Sequence, residues 1–485
     1  MSKELITLAV DLGAESGRVM AVHFDGESLR VDELHRFANN PVNVRGTLHW
    51  DVLGLWREIQ IGIEKGAALH PASLGVDTWG VDFALLDGQG RMLGNPVHYR
   101  DSRTDGVMER VFEHIPKPVI FNTTGIQFSQ INTLYQLMSM AESDSPQLKA
   151  AHTFLTMPDL FNYWLTGLKV NEFSIASTTQ MLDASTRNWA FGMLEEFGIP
   201  PQIFSEVVQP GTRLGKFHGI PVMAPACHDT GSAVAAVPCQ GKNFGYISSG
   251  TWSLAGLEVE AAFINEEALQ ANVTNEGGVY GTYRLLKNLI GLWIVQQCRA
   301  AWKLQGESLS YDEVTEMARQ AEPFRSLINP DDPVFLTPGD YLERIQTWCR
   351  AHKQPIPETK GALVRAVLES LAFKYRQVFD ELISLTGRKI DTLHIMGGGS
   401  QNQLLNQFAA NATGYPILAG PVEATVLGNS LVQLITLGEI KNLAEGRQIV
   451  ARIKGMKRYE PHDQLEWNEA YERFLDLQKL LRSRD

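Results

Sequence analysis

Leu5-Ile6-Thr7-Leu8-Ala9-Val10-Asp11-Leu12-Gly13-Ala14-Glu15-Ser16-Gly17-Arg18-Val19-Met20-Ala21-Val22-His23-Phe24 is the stretch on which the fold turns. Its opening is a near-continuous apolar run ending in a carboxylate, which predicts a strand buried inside a sheet. The turn that follows contains Gly and Ser and returns the chain into a second apolar run. The whole reads as a hairpin whose tip offers N–H groups and hydroxyls to an anion. An alternating segment at residues 29–37 predicts a third strand, and residues 52–69 an amphipathic helix.

The strand-then-Asp pattern recurs at Leu74-Gly75-Val76-Asp77 and leads through Thr78-Trp79-Gly80 into a further strand at residues 81–86. A short strand at 97–99 precedes the polar cluster Tyr99-Arg100-Asp101-Ser102-Arg103-Thr104, and helices are expected around 133–140 and 159–165. Mid-chain, the apolar residues Ile220, Val222, Met223 and Ala224 run into Pro225-Ala226-Cys227-His228-Asp229-Thr230-Gly231-Ser232-Ala233. Asp229 therefore ends an apolar run and begins a small-residue helix at 230–237, where it can face a cleft while staying anchored in the core. That makes it a candidate general base, with helix capping as the plainer alternative.

After Gly241-Lys242-Asn243 the opening pattern returns: Phe244-Gly245-Tyr246-Ile247 as strand, Ser248-Ser249-Gly250-Thr251 as turn, Trp252-Ser253-Leu254 as strand. Two halves of like architecture follow, with the boundary placed between residues 1–241 and 242–485. In the second half residues 289–302 read as helix, and Leu363, Val367, Leu371, Tyr375, Phe379 and Leu382 mark one face of a long helix ending near Gly387. Leu393-His394-Ile395-Met396 is a strand that enters Gly397-Gly398-Gly399-Ser400-Gln401-Asn402 and then a helix from Gln403. Bare backbone at such a turn suits a nucleotide. A strand at 415–418 and helices at 424–437 and 465–481 complete the second half.

Composition narrows the partners. Lys and Arg number 43 against 55 Asp and Glu, and the net charge of -12 argues against nucleic acid or an anionic membrane. The 485 residues are too many for one core and suit two or three domains. No segment approaches the ~20 apolar residues that span a bilayer. Cys227, Cys239, Cys298 and Cys349 form no Cys-x-x-Cys or Cys/His spacing, so they read as reduced thiols of a cytoplasmic protein. Met1-Ser2-Lys3-Glu4 runs into the first strand without the long apolar region of a signal peptide. Several nucleotide signatures are missing: Gly-x4-Gly-Lys-[Ser/Thr], a helix-opening Gly-x-Gly-x-x-Gly, and the His-Arg-Asp with Asp-Phe-Gly pair. Phosphate handling must then use the hairpin turns.

Val10-Asp11-Leu12-Gly13-Ala14-Glu15-Ser16-Gly17-Arg18 resembles the first phosphate hairpin of the sugar-kinase, actin and heat-shock ATPase superfamily, and Ser248-Ser249-Gly250-Thr251-Trp252 the second. Gly397 to Asn402 resembles its adenosine loop. Within that superfamily the chain is similar throughout to the FGGY carbohydrate kinases, most of all to those acting on L-rhamnulose. The matches are Asp77-Thr78-Trp79-Gly80-Val81-Asp82-Phe83, Tyr99 to Thr104, His228-Asp229-Thr230, Thr274-Asn275-Glu276-Gly277-Gly278 and Leu286-Lys287-Asn288. Two departures mark a subgroup: Ala14 stands where most of these kinases carry Thr, and the tetrapeptide that names the family is absent.

The resemblance implies an α/β fold of two ribonuclease H-like (actin-like ATPase) domains, mixed β-sheets flanked by helices, with an interdomain active-site cleft. The N-terminal domain would bind ketose and carry a phosphate loop, and the C-terminal domain would bind nucleotide. The implied reaction is ATP-dependent, Mg²⁺-assisted phosphorylation of the C1 hydroxyl of L-rhamnulose or a related ketose. Asp229 would accept the proton, ionised at pH 7 because a free Asp titrates near ~3.9. Ala14, Glu15, Ser16, Gly17, Arg18 and Thr251 would line the phosphates, with Gln296 and Gly398 at the nucleotide. Gly80, His228, Asp229, Thr230 and Asn288 would bind the sugar, and Asp11 would hold Mg²⁺ through water. Asp82 is open between a sugar-hydroxyl acceptor and a solvated strand residue, and Trp79 between stacking on the sugar and core packing. Kinases for L-fuculose or L-xylulose, and an actin- or chaperone-like ATPase, are the alternatives.

Overall fold

The computed structural model describes residues 4–336 and 339–482 of the chain, so Met1-Ser2-Lys3 lies outside the described residues. Contacts divide the protein into two compact units, one of residues 1–240, 258–285 and 424–453, the other of 241–257, 286–423 and 454–485. The chain first passes from one unit to the other at 240/241. Residues 258–285 and 424–453 then rejoin the first unit, so the helix at 424–437 does not complete the second half as its sequence position suggested.

In the first unit β1 (Leu5–Leu12), β2 (Ser16–Phe24), β3 (Leu29–Ala38), β4 (Ser73–Thr78), β5 (Arg213–Phe217) and β6 (Ile220–Met223) form one sheet in the order β5-β6-β4-β1-β2-β3. β1 pairs antiparallel with β2 and parallel with β4. Its last six residues are buried, because α1 (Val52–Ala67) packs against β1, β2 and β3, and α8, Ala424–Leu437, packs against β1, β2 and β4. A run of apolar residues without alternation is what burial on both faces requires. α2 (Thr133–Glu142), α3 (Met157–Thr166) and α4 (Asp229–Ala235) complete the parts that matter for the site. Residues 97–99 form only an isolated bridge between Val97 and His49 rather than a strand, because His98 and Tyr99 turn inward to pack beside Trp50.

The second unit repeats the scheme. β7 (Phe244–Ser249) pairs antiparallel with β8 (Trp252–Val259) and parallel with β11 (Thr392–Met396). β11 is followed by parallel β12 (Ile417–Ala419) and antiparallel β13 (Lys457–Tyr459). β10 (Tyr283–Ile290) lies beyond β8 in the same order of strands, while β9 (Thr274–Gly277) belongs to the stretch 258–285 of the first unit. Hairpin, parallel strand, parallel strand and antiparallel edge thus occur in both sheets. α6 (Lys360–Thr386) ends at Gly387, whose φ of +65° is the left-handed cap expected there, and α7 (Gln403–Thr413) starts after the N-cap Asn402. Residues 289–302 differ from expectation: β10 runs to Ile290 and α5 is Trp293–Leu304. The N–H groups of Gly291 and Leu292 bond to the carbonyls of Thr251 and Gly250, which holds these residues as a turn.

Candidate active site

The first unit gathers charge where buried strands end. Asp11 and Asp77 are register partners on β1 and β4. Asp77 is fully buried, and that burial together with the Asp11 carboxylate pushes its pKa well above the ordinary carboxylate range. Nδ2 of Asn429, on α8, donates to Asp77 Oδ2 at 2.6 Å. Asp11 itself pairs with the Arg18 guanidinium across the hairpin. Among the described residues no group of three or more His, Cys, Asp or Glu side chains is arranged to hold a metal. Asp11 as a water-mediated Mg²⁺ partner remains compatible with this, because Mg²⁺ relies on one or two carboxylates and substrate phosphates.

The hairpin tip is pinned from below. Gly13 N–H donates to the Ser16 carbonyl, and Asn39 donates its N–H to the Glu15 carbonyl and its Nδ2 to that of Gly13, each at 2.9 Å. Ala14 and Ser16 are half-buried and Glu15 is exposed. Gly17 has a packing reason to lack a side chain: a Cβ there would sit 2.3 Å from the Phe37 ring.

Asp229 is the first residue of α4, and the capping position belongs to His228. One Asp229 oxygen accepts the Thr230 N–H at 2.5 Å and the Thr230 hydroxyl at 3.1 Å, and the side chain stays 29% exposed. Burial raises its pKa, opposed by His228 and reinforced by Asp11. Asp229 is therefore a stronger base than the free side chain on which the sequence reading relied. Gly80 lies alongside, where a Cβ would meet His228 Nε2 and Thr178 Oγ1, each at 3.3 Å. Gly80, His228, Asp229 and Thr230 thus come together in one place.

The next residue, Val81, has φ +67°, and Asp82 N–H closes a three-residue turn onto the Gly80 carbonyl at 2.9 Å. A β-branched residue in that region is strained and persists only when its surroundings dictate it. Here Thr178 Oγ1 accepts its N–H, and Thr133 and Gln136 of α2 donate to its carbonyl. Asp82 accepts from Trp50 Nε1 at 2.6 Å, Trp79 Nε1 at 2.9 Å and Gln136 Nε2 at 3.1 Å. It is a buried anchor rather than a solvated strand residue, with its pKa pushed up by burial to about 6. Trp79 packs in the core against Trp50, ring centroids 4.2 Å apart. Arg103 reaches Gln136, while Asp101 takes the main-chain N–H groups of Leu48 and Arg103, a structural role for that cluster. Cys227 is buried, its thiol pushed up by burial.

Sequence reasoning quoted Glu276 within a family motif without giving it a role, and passed over Arg284 and Thr178. Arg284 is wholly buried on β10 and contacts both Glu276, at 3.1 Å, and His228 Nδ1, at 2.9 Å. An arginine inside the run Tyr283-Arg284-Leu285-Leu286 was the available signal, since a fully buried arginine needs a partner.

In the second unit Gln296 Nε2 donates to Thr251 Oγ1 at 3.3 Å, joining two of the residues expected at the nucleotide. Gly397 and Gly399 pack on the end of β7, where a Cβ on Gly399 would lie 2.1 Å from Ser249 Oγ. Gly398, between them, faces open space with nothing within 4 Å of such a Cβ. The glycines of the expected adenosine loop therefore divide into two that pack and one that presents bare backbone. Asn288 is half-buried on β10, and its neighbour Lys287 pairs with Glu381 at 2.8 Å.

Residues 6–223 match the N-terminal domain, and residues 245–437 the C-terminal domain, of the FGGY family of carbohydrate kinases. A curated protein named rhamnulokinase from Bacteroides thetaiotaomicron is 45% identical over 96% of this chain and 98% of its own length. One of the same name from Mannheimia succiniciproducens is 43% identical, covering 94% and 95%. Among solved structures, a ligand-bound xylulose kinase from Lactobacillus acidophilus superposes with a TM-score of 0.80 at 15% identity, covering 98% of both chains. Plasmodium falciparum glycerol kinase with ADP gives 0.75 at 17%, covering 97% and 98%; at such identities these two speak for the two-domain α/β fold alone. With both domain models matched and full-length relatives above two-fifths identity, this chain belongs to the FGGY family of carbohydrate kinases.

Proposed function

We propose that this carbohydrate kinase transfers the γ-phosphoryl group of ATP to the C1 hydroxyl of L-rhamnulose, giving L-rhamnulose 1-phosphate and ADP. The sugar is carried by one observation, the full-length similarity at 43–45% identity to proteins named rhamnulokinase. Asp229 is the general base. Its carboxylate takes the proton of the C1 hydroxyl as that oxygen bonds to the γ-phosphorus and the bond to the ADP oxygen breaks. A pKa raised by burial serves this role, because proton transfer is favoured as the base's pKa approaches the working pH.

Gly80, His228, Thr230 and Asn288 are the sugar contacts, the Val81 turn setting the position of the Gly80 backbone. Ala14 to Arg18 meet phosphate in the first unit. Thr251 meets phosphate, and Gln296 and Gly398 the nucleotide, in the second. Mg²⁺, held by Asp11 through water, would neutralise phosphate charge.

Coupled ADP release with Mg-ATP, screened across L-rhamnulose, L-fuculose, L-xylulose and polyols, tests the assignment. L-rhamnulose should give the highest kcat/KM and ATP alone almost none. Preference for another ketose would reassign the sugar, and sugar-independent hydrolysis would favour an ATPase. Asp229→Asn should lower kcat by about 10²–10⁴ with the KM for ATP kept, whereas near-normal turnover would remove Asp229 from the chemistry.

A further inference from the structure

Nδ1 of His228 touches two ions whose demands on it conflict. Nδ1 lies 2.9 Å from Arg284 Nη2 and 3.3 Å from Glu276 Oε2. Nε2 lies 3.4 Å from Asp229 Oδ1 and faces Gly80. A guanidinium only donates and stays protonated at any working pH. A hydrogen on Nδ1 would therefore meet a donor hydrogen at the closer of the two contacts. Nδ1 must instead present its lone pair, which leaves the ring's one proton on Nε2.

Arg284 is in turn fixed from other directions. Its Nε donates to the Gly277 carbonyl at 2.9 Å, and its Nη1 lies 3.1 Å from Glu276 Oε2. Arg284 is 0% and Glu276 4% exposed, so water cannot replace either partner. The backbone that carries the ring is held by its N–H, which donates to Ser174 Oγ at 3.2 Å. Among the described residues the charged groups facing His228 are Arg284 from β10, Glu276 from β9 and Asp229 from its own helix.

We propose that Arg284, oriented by Glu276, is a positioning residue that keeps His228 neutral with its proton on Nε2, so that the ring donates to a ketose oxygen beside Asp229. The step rests on the reading of Asp229 as base and His228 as sugar contact. Were His228 an imidazolium, it would pair with Asp229 and hold that carboxylate as a poorer proton acceptor. A cation at Nδ1 prevents this without itself reaching the substrate.

The tautomer is read directly by ¹⁵N-histidine NMR of the full chain, with His228→Gln identifying the signal. The expected result is a bare Nδ1 and a protonated Nε2 at pH 7. A proton on Nδ1, whether as the other tautomer or as an imidazolium, overturns the proposal. This result does not depend on any ketose being turned over, so it stands apart from the assignment of the reaction. Kinetics supply the second arm with Arg284→Gln, which leaves Glu276 to draw a proton onto His228. kcat/KM for ketose should fall about 10²-fold at pH 7, the scale of a misplaced reacting group, with the acid limb of its pH profile moved to higher pH and the KM for ATP unchanged. An equal loss at every pH, with the limb in place, would reduce Arg284 to packing and refute the positioning role. If that variant does not fold, the NMR result on the parent protein alone decides.

Discussion

Gly428→Ala puts the support of the proposed base to a direct test. Gly428 lies on α8 where it crosses α4, the helix that begins at Asp229, and a Cβ at Gly428 would sit 1.7 Å from the Ser232 carbonyl oxygen and 2.6 Å from its carbon. Ordinary contact begins at 3.4 Å, so the two helices must separate by about 1.7 Å, and the obstruction is backbone that cannot rotate away. Overpacking of this kind costs about 1–3 kcal/mol, or several degrees of Tm at roughly 2–4 °C per kcal/mol. The same displacement shifts Asp229, and about 1 Å of misplacement can cost 10² in rate. Thermal melting with ADP release should therefore show a lowered Tm together with a fall in kcat of about 10–100-fold. Gly192→Ala is the control, since nothing lies within 4 Å of its Cβ position. If Gly428→Ala melted and turned over like that control, the close crossing would not be what positions Asp229.

Asp82 carries a pH prediction. Its folded pKa of about 6 lies above the ordinary 3.8, so between those values the folded protein holds a proton that the unfolded chain releases. Its contribution is then fully present below about 3.8 and lost as pH rises through 6, about 3 kcal/mol in all. Asp82→Asn should remove that dependence, so the parent-minus-variant stability from denaturant titrations should rise as pH falls from 7 to 4; a flat difference would contradict the burial argument. The adenosine loop gives a paired test. Gly398→Ala fills open space and should raise the KM for ATP with Tm unchanged, while Gly399→Ala meets Ser249 and should lower Tm. Equal KM for ATP in Gly398→Ala and the parent would move the nucleotide off that residue.

The hairpins were legible because their signal is local. A buried strand must be apolar, and a turn that bares its amides must spare side chains, so Val10 to Arg18 and Ile247 to Trp252 announce themselves. Capping chemistry marked the end of the long helix at Gly387 equally well. What failed was long-range. Nothing around Ala424 shows that its helix joins the first unit, because the determinants are far off in sequence: Gln433 reaches Ser73 and the Leu8 carbonyl, and Asn429 reaches Asp77. Those bonds span more than 350 residues, and a helix with both apolar and amide groups on its surface is compatible with either sheet until its partners are known.

The same distinction explains which site residues were found. Asp11, Gly80, His228 and Asp229 each stand at a strand or helix end, where a polar residue interrupts an apolar run. Glu276 and Arg284 sit inside strands and form an ion pair there, so their meaning depends on a third residue, His228, about 50 positions away. Burying such a pair usually costs more than an apolar pair would. Their presence at 4% and 0% exposure therefore calls for a function that apolar side chains could not serve. Directing a ring proton at the proposed sugar side of His228 is such a function, because it needs a donor at Nδ1 that cannot reverse its role. Asp77 answers to a parallel argument: beside Asp11 a second ionised carboxylate would be repelled, and burial with that repulsion holds Asp77 toward its neutral form against the opposing pull of the Asn429 bond.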